Sequence, residues 1–190
     1  MELVIASNNA HKAREIKEIL EGKFERIYTL GDLDIHVDPE ETAKDFLGNA
    51  MIKATTIAAY TDKAVIADDS GLMVDALSGA PGVYSARYGG EPVSDDKNNE
   101  KLLREMAGLT AREAKFVTTM VLLFPNGRCI VGVGEVKGKI LTERRGEHGF
   151  GYDPLFYSYE LKKTFGEASE QEKNSVSHRS RALKEILRQL

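Results

Sequence analysis

Apolar positions recur along this chain in two rhythms. Leu3-Val4-Ile5-Ala6 and Ala64-Val65-Ile66-Ala67 are short unbroken runs and read as buried strands. Ile27 to Leu30 could add another. Ala13, Ile16, Ile19 and Leu20 instead recur at helical spacing with Lys and Glu between them. The chain therefore opens strand–turn–helix, with Ser7-Asn8-Asn9 as the turn. Pro39-Glu40-Glu41-Thr42 reads as a helix start with acids in its first turn, and Phe46, Leu47, Ala50, Met51, Ala54 and Ile57 continue that helix. The second apolar strand is read as ending at Asp68-Asp69-Ser70-Gly71.

Residues 78–95, rich in Gly, Ser, Pro and Tyr, read as a long loop. Lys97 to Met106 reads as a helix. Ala114 to Phe124 and Arg128 to Val136 flank Pro125-Asn126-Gly127, a hairpin signal. Lys139 to Thr142 could add a strand, and Arg144 to Pro154 is a second Gly-rich loop. From Ser177 to Leu190 an amphipathic helix places Ala182, Leu183, Ile186, Leu187 and Leu190 on one face. Strands alternate with helices early and a hairpin follows, which predicts an α/β fold with a mixed, twisted sheet and flanking helices.

Composition narrows the function more than the fold. A chain of 190 residues suits one domain, or two lobes sharing a core. The single cysteine, Cys129, excludes an internal disulfide and fits a reducing cytosol; one thiol and four scattered His make no zinc-ligand spacing. The opening MELVIASNN lacks the cationic start and apolar length of a signal peptide, and no stretch approaches a membrane span. A net charge of −4 gives no overall basic footprint for nucleic acid. An anionic ligand must therefore be met by a local cluster of cations.

Five constellations could carry chemistry. Ser7-Asn8-Asn9-Ala10-His11-Lys12 joins a strand to a helix N-terminus, which favours a phosphate. N-capping by Ser7 or Asn9 would explain the turn without a ligand. His11 and Lys12, however, put cations in the first turn, against the helix dipole, and a bound anion would remove that conflict. Asp68-Asp69 are hard oxygen ligands of the kind that suits Mg²⁺; a solvated Asp-Ser-Gly turn is the alternative. Because successive strand side chains point to opposite faces, the two carboxylates share a site only if the chain turns between or just after them. Glu40-Glu41 are explained by the helix dipole alone, and Lys53 by solvation. Phe150-Gly151-Tyr152-Asp153-Pro154 offers an aromatic in a Gly-rich loop, able to stack on a base or to anchor a turn. Finally, Lys173 precedes Ser177-His178-Arg179, with Ser177 as an expected N-cap and Arg179 in a first turn unfavourable to its charge, which suggests an anionic or carbonyl-bearing partner nearby; a solvated basic turn is the alternative.

Taken in order, SNNAHK, EET, ADDSGL, GAPGVYSARY, GFGYDP, KTF and EKNSVSHR resemble the inosine-triphosphate pyrophosphatase family, the non-canonical purine nucleoside-triphosphate pyrophosphatases, nearly end to end. The resemblance implies one domain over residues 1–190, in two lobes with the active-site cleft between them. It implies hydrolysis of inosine and xanthosine triphosphates and their deoxy forms to the monophosphate and pyrophosphate, dependence on Mg²⁺, a homodimer and a cytoplasmic location. Residue by residue, it assigns the triphosphate to Ser7, Asn8, Asn9 and Lys12, with Ala10 and His11 in the same turn. Glu41 and Asp69 would hold the metal. Asp69 would accept the proton, supported by Asp68. Lys53 would meet phosphate and Ser70 the nucleotide. Phe150, Gly151, Tyr152, Asp153, Lys173, His178 and Arg179 would form the base pocket. At position 152 eukaryotic relatives tend to carry Trp where this chain has Tyr. The rival readings are a related pyrophosphatase for pyrimidine or modified nucleotides, and a nucleotide-binding module without turnover, which would not need Glu41, Asp68 and Asp69 together.

Overall fold

The computed structural model describes residues 1–190. In chain order the elements are β1 (Glu2–Ile5), α1 (Ala10–Ile19), β2 (Arg26–Thr29), α2 (Phe46–Ala58), β3 (Ala64–Val74), α3 (Asp95–Glu105), β4 (Glu113–Leu123), β5 (Cys129–Ile140), β6 (Phe156–Ser158), β7 (Lys163–Thr164), α4 (Glu170–Val176) and α5 (His178–Leu187). Seven strands make one sheet in the order β2-β1-β3-β4-β5-β6-β7. It is mixed: β1 runs parallel to β2 and to β3, with Ile5 opposite Thr29 and Ile66, whereas β5, β6 and β7 pair antiparallel. The hairpin forms at the expected place, with the Phe124 N–H donating to the Arg128 carbonyl and Gly127 taking φ +83°.

Chain contacts divide the molecule into two compact units. The first comprises Met1–Asp69, Thr118–Gly134 and Arg179–Leu190. Here the unbroken apolar runs are explained by burial on both faces. Leu3, Ile5, Ala64, Ile66, Met120 and Leu122 face α1 and α5 through Ala13, Ile16, Ala182, Leu183 and Ile186. The alternating residues Val4, Ala6, Val65, Ala67 and Val121 face α2 through Ala50, Ala54 and Ile57. The chain crosses from β1 to β2 through α1 and returns past β1 to β3 through α2. The strand order therefore reverses between β1 and β3, and ligands of open α/β sheets bind beyond the carboxyl ends of the strands at such a reversal.

The second unit, Ser70–Val117 and Glu135–His178, has its own core. Leu72, Val74, Leu102, Met106, Phe116, Val136, Ile140, Leu155, Phe156 and Phe165 build it. The rings of Phe116 and Phe156 lie 4.6 Å apart and those of Phe156 and Phe165 5.1 Å apart, both pairs tilted.

Several boundaries differ from the sequence reading. The helix expected from Pro39 begins at Phe46, because the Asp45 carboxylate caps it through the Gly48 N–H and residues 39–43 stay outside. Glu40 and Glu41 therefore do not serve a helix dipole. The strand expected to stop at Asp68-Asp69 runs on to Val74 and carries both acids in its middle. Residues 139–140 belong to the end of β5 and form no strand of their own with Leu141 and Thr142. The long loop at 78–95 contains a helical turn of 3-10 type at Gly82–Arg87. Helix α4 was not anticipated; its capping box, with Ser169 and Glu172 bonding each other's backbone N–H, was present in the sequence as an S-x-x-E pattern. Ser177 closes α4 and precedes α5, its N–H donating to the Lys173 carbonyl. Leu190 lies past the end of α5 and is exposed.

Candidate active site

In the first unit, the turn after β1 is shaped by its own side chains. Asn9, extended at φ −84° and ψ 108°, caps α1 by accepting from the N–H groups of His11 and Lys12. Its own N–H donates to the Ser7 hydroxyl. Asn8 reaches away, donating to the Val37 carbonyl and to Asp38 at 2.9 Å. Two of the N–H groups at the helix start are thus spent on Asn9, so capping and anion binding compete there. The Lys12 side chain is the group of this turn that reaches the acids of β3. His11 is exposed.

Strand periodicity sends Asp68 and Asp69 to opposite faces. Asp68 continues the face of Ala64 and Ile66, and its Oδ2 lies 3.2 Å from Lys12 Nζ and 3.6 Å from Arg179 Nε. Arg179 also donates to Glu15 at 2.7 Å. That explains an arginine in the first turn of α5: two carboxylates of the chain itself offset its charge. Burial pulls the Lys12 ammonium below its usual range, with Arg179 and Lys53 acting in the same direction against the pull of Asp68.

Asp69 continues the face of Val65 and Ala67, toward α2. Asn49, wholly buried, donates from Nδ2 to Asp69 Oδ2 at 3.0 Å and accepts from the Ala43 N–H at 2.9 Å. It thereby ties the carboxylate to the segment that carries Glu41. Lys53 donates to Glu41 Oε1 at 2.8 Å and lies 3.8 Å from Asp69 Oδ1. The two carboxylates named as metal ligands therefore converge on one cation. Burial pushes the Asp69 carboxyl up to about 6; Lys53 opposes the shift, Glu41 adds to it, and Asn49 and Lys12 oppose it. Lys53 is itself held above its usual range, since Asp68, Asp69 and Glu41 together outweigh its burial.

The second unit holds the late residues other than Arg179. Asp153 accepts from the Phe150 N–H at 3.0 Å and from Lys173 Nζ at 2.7 Å. The same ammonium stands 4.6 Å from the centre of the Phe150 ring, a cation–π contact. Gly149 at φ +76° is required here, since a Cβ would stand 2.0 Å from Asp153 Oδ2. Tyr152 is buried and its hydroxyl donates to the Ser85 carbonyl at 2.6 Å, so it anchors the turn; Phe150 is half-buried. Gly151 is fixed by α3, through Asp95 and Asn99. His178 is buried with its ring stacked at 5.0 Å on Phe116. Ser70, half-buried, follows Asp69 in β3, and the next residue, Gly71, is needed because a Cβ there would stand 2.2 Å from the Gly82 carbonyl oxygen.

Sequence reasoning missed Asn49, Glu15, Asp95 and Asn99. Asn49 carried a usable signal, a lone carboxamide on the apolar face that α2 shares with Ala50 and Ala54. For the other three, only the tertiary contacts reveal the role.

The chain is 48% identical to a dITP/XTP pyrophosphatase of Clostridium perfringens, over 96% of this chain and 94% of that protein. It is 46% identical to a protein of the same name from Desulforamulus reducens, over 98% and 94%. Among solved structures, it superposes on the Ham1 protein of Staphylococcus aureus with a TM-score of 0.85 at 43% identity, covering 97% of this chain and 95% of that one. A HAM1 protein from Coxiella burnetii matches over the full length of both chains, with a TM-score of 0.88 at 37% identity. The model of the Ham1 family matches residues 3–189, and with these relatives it shows that the chain belongs to the Ham1 family.

Proposed function

We propose that this protein hydrolyses non-canonical purine nucleoside triphosphates, those of inosine, deoxyinosine and xanthosine, to the monophosphate and pyrophosphate. The observation that carries the reading is the convergence of Glu41 and Asp69 on Lys53, beside Asp68 and Lys12 at the strand-order reversal. A binding module needs no such cluster of buried acids. The names of the relatives point to the same substrate class.

Two hard carboxylates brought to one point fit Mg²⁺, which commonly takes one or two carboxylates and completes its shell with phosphates and water. Glu41 and Asp69 would hold the ion, and when bound it supplies charge neutralisation to the phosphate oxygens. Asp69, with its pKa near 6, is ionised at neutral pH yet basic enough to take a proton from water. The water oxygen bonds to the α-phosphorus, the bond from that phosphorus to the bridging oxygen breaks, and pyrophosphate leaves with the bonding pair. Lys12 and Lys53 offset the charge that gathers on it. Ser7, Asn8 and Asn9 with their helix start take the triphosphate, and Ser70 the nucleoside.

Phe150 stacks on the base. Hypoxanthine and xanthine present O6, an acceptor, where adenine presents an amino donor. Donors from Arg179, His178 or backbone N–H groups would pair with O6 and meet adenine donor to donor, leaving polar groups unpaired at about 1–3 kcal/mol each, whereas guanine, which also carries O6, would have to be rejected through its 2-amino group. We also propose a homodimer and a cytoplasmic location; no helix is long and apolar enough to cross a membrane.

Product analysis on inosine triphosphate, with and without Mg²⁺, tests the reading. Monophosphate plus pyrophosphate, formed only with the metal, supports it. Diphosphate plus orthophosphate would overturn the bond assignment, and no turnover of any triphosphate would leave a binding module. Modified pyrimidine triphosphates turned over faster than inosine triphosphate would reassign the substrate.

A further inference from the structure

The 150–153 turn is held from two sides: by its own loop, where Phe150 and Asp153 bond each other, and by the first turn of α3. The Gly151 N–H donates to Asp95 Oδ2 at 2.7 Å, and the Gly151 carbonyl accepts from Asn99 Nδ2 at 2.8 Å. Both backbone polar groups of one residue are thus spent on two side chains four residues apart, one helical turn. Asn99 is 2% exposed, and its amide also donates to the Asp95 carbonyl at 2.7 Å. Two carbonyl oxygens face that one NH₂ group, so the amide orientation is forced, and an isosteric aspartate would set a carboxylate against both. Its Oδ1 is buried with no hydrogen-bond partner, so Asn99 is placed for what its nitrogen does. Gly151 sits at φ +60° with open space around its Cβ position, so the clamp fixes its peptide planes where side-chain packing does not. Those planes set where Phe150 and Tyr152 point. The neighbouring Asn98 does similar work on the 82–90 segment, bonding the Gly89 N–H and the Ala86 carbonyl. Arg144, near the start of the same loop, reaches back to Asp96.

We propose that Asp95 and Asn99 are positioning residues for base recognition: they clamp Gly151 from α3 and so hold the Phe150 ring where the purine stacks. The proposal rests on the base-pocket reading of Phe150. Helix α3 is separately anchored by Leu102 and Met106 in the core, so losing the clamp loosens the turn without removing the helix.

The test is steady-state kinetics on inosine and guanosine triphosphates for Asn99→Asp, Asp95→Ala, Asp95→Asn and Phe150→Ala, with thermal melts as a check on folding. Asn99→Asp and Asp95→Ala are expected to raise KM for inosine triphosphate about tenfold with kcat changed less than about twofold, and to lower its preference over guanosine triphosphate. Asp95→Asn keeps an acceptor for the Gly151 N–H and is expected to behave as the unaltered protein does. Equal losses in kcat and KM on both nucleotides, or Asp95→Asn as impaired as Asp95→Ala, would make the pair merely structural and overturn the proposal. A raised KM in Phe150→Ala with no change in Asn99→Asp and Asp95→Ala would overturn the clamp and leave the base pocket standing. An unchanged KM in Phe150→Ala would overturn the base-pocket reading and the clamp with it.

Discussion

Asp69 sits in mid-strand, nearly enclosed, with its carboxyl pushed to about 6 from an ordinary 3.8. Between those values the folded chain keeps a proton that the unfolded chain has released. Stability therefore falls as pH rises through that window and stays lower above it. Asp69→Asn removes the penalty and is expected to stabilise the protein by about 1–3 kcal/mol at pH 7.5, relative to its effect at pH 4. The same change removes the proposed base and is expected to cut turnover at least on the order of 100-fold. Denaturant melts at the two pH values, read beside the rate, check the pair of outcomes; a variant both active and no more stable would remove Asp69 from the centre. Asn49 acts on the same carboxylate from the other side. Its hydrogen bond lowers the Asp69 pKa, so Asn49→Ala is expected to move the acid limb of the rate profile to higher pH. It also strands the Ala43 N–H, at a stability cost of about 1–3 kcal/mol. An unmoved acid limb would show that Asn49 only packs.

Elements translate these residues into position. Gly149 has both a left-handed backbone and a Cβ position occupied by Asp153 Oδ2. Gly149→Ala is expected to break the Asp153–Lys173 pair, lower stability by about 1–3 kcal/mol and raise KM for inosine triphosphate, which melts and kinetics together would check. How much of this arrangement the sequence disclosed depends on range. The apolar runs of β1 and β3, the spacing of α1 and α5 and the Asn126-Gly127 turn are local signals, and each element formed where its pattern lay. The start of α2 did not, because Asp45 takes the Gly48 N–H as cap while Asn49 takes the Ala43 N–H and is itself bonded to Asp69, twenty residues beyond it. The end of β3 was misread for a related reason. Adjacent acids look like a turn when each is counted as solvated, but here Lys12, Arg179, Lys53 and Asn49 supply partners from three helices. Those partners let a strand carry its charges inside. The motif residues were visible as residue types; that Asp68 and Asp69 work on opposite faces was visible only once the strand proved continuous.

Across the whole molecule, the cost of burying charge is contained by near-neutrality of the site. Glu15, Glu41, Asp68 and Asp69 stand against Lys12, Lys53 and Arg179. A set so balanced has little spare positive charge for a triphosphate, so the proposed metal ion would answer an electrostatic need as well as a chemical one. Binding of the proposed ion through Asp69 would expel whatever proton the carboxyl holds. Below pH 6 most of the Asp69 population is protonated, so metal affinity is expected to fall there and to recover as pH rises through about 6. Since a ligand that binds only the folded state raises stability by an amount set by its affinity, Mg²⁺ without nucleotide is expected to raise Tm at pH 7.5 and to do so far less at pH 5. Glu41→Gln and Asp69→Asn should each abolish the difference, whereas Lys173→Met, in the second unit, should keep it. A metal-induced shift in Tm equal at both pH values, or one that survives in both acid variants, would place the ion away from this pair and require another source of charge for the departing pyrophosphate.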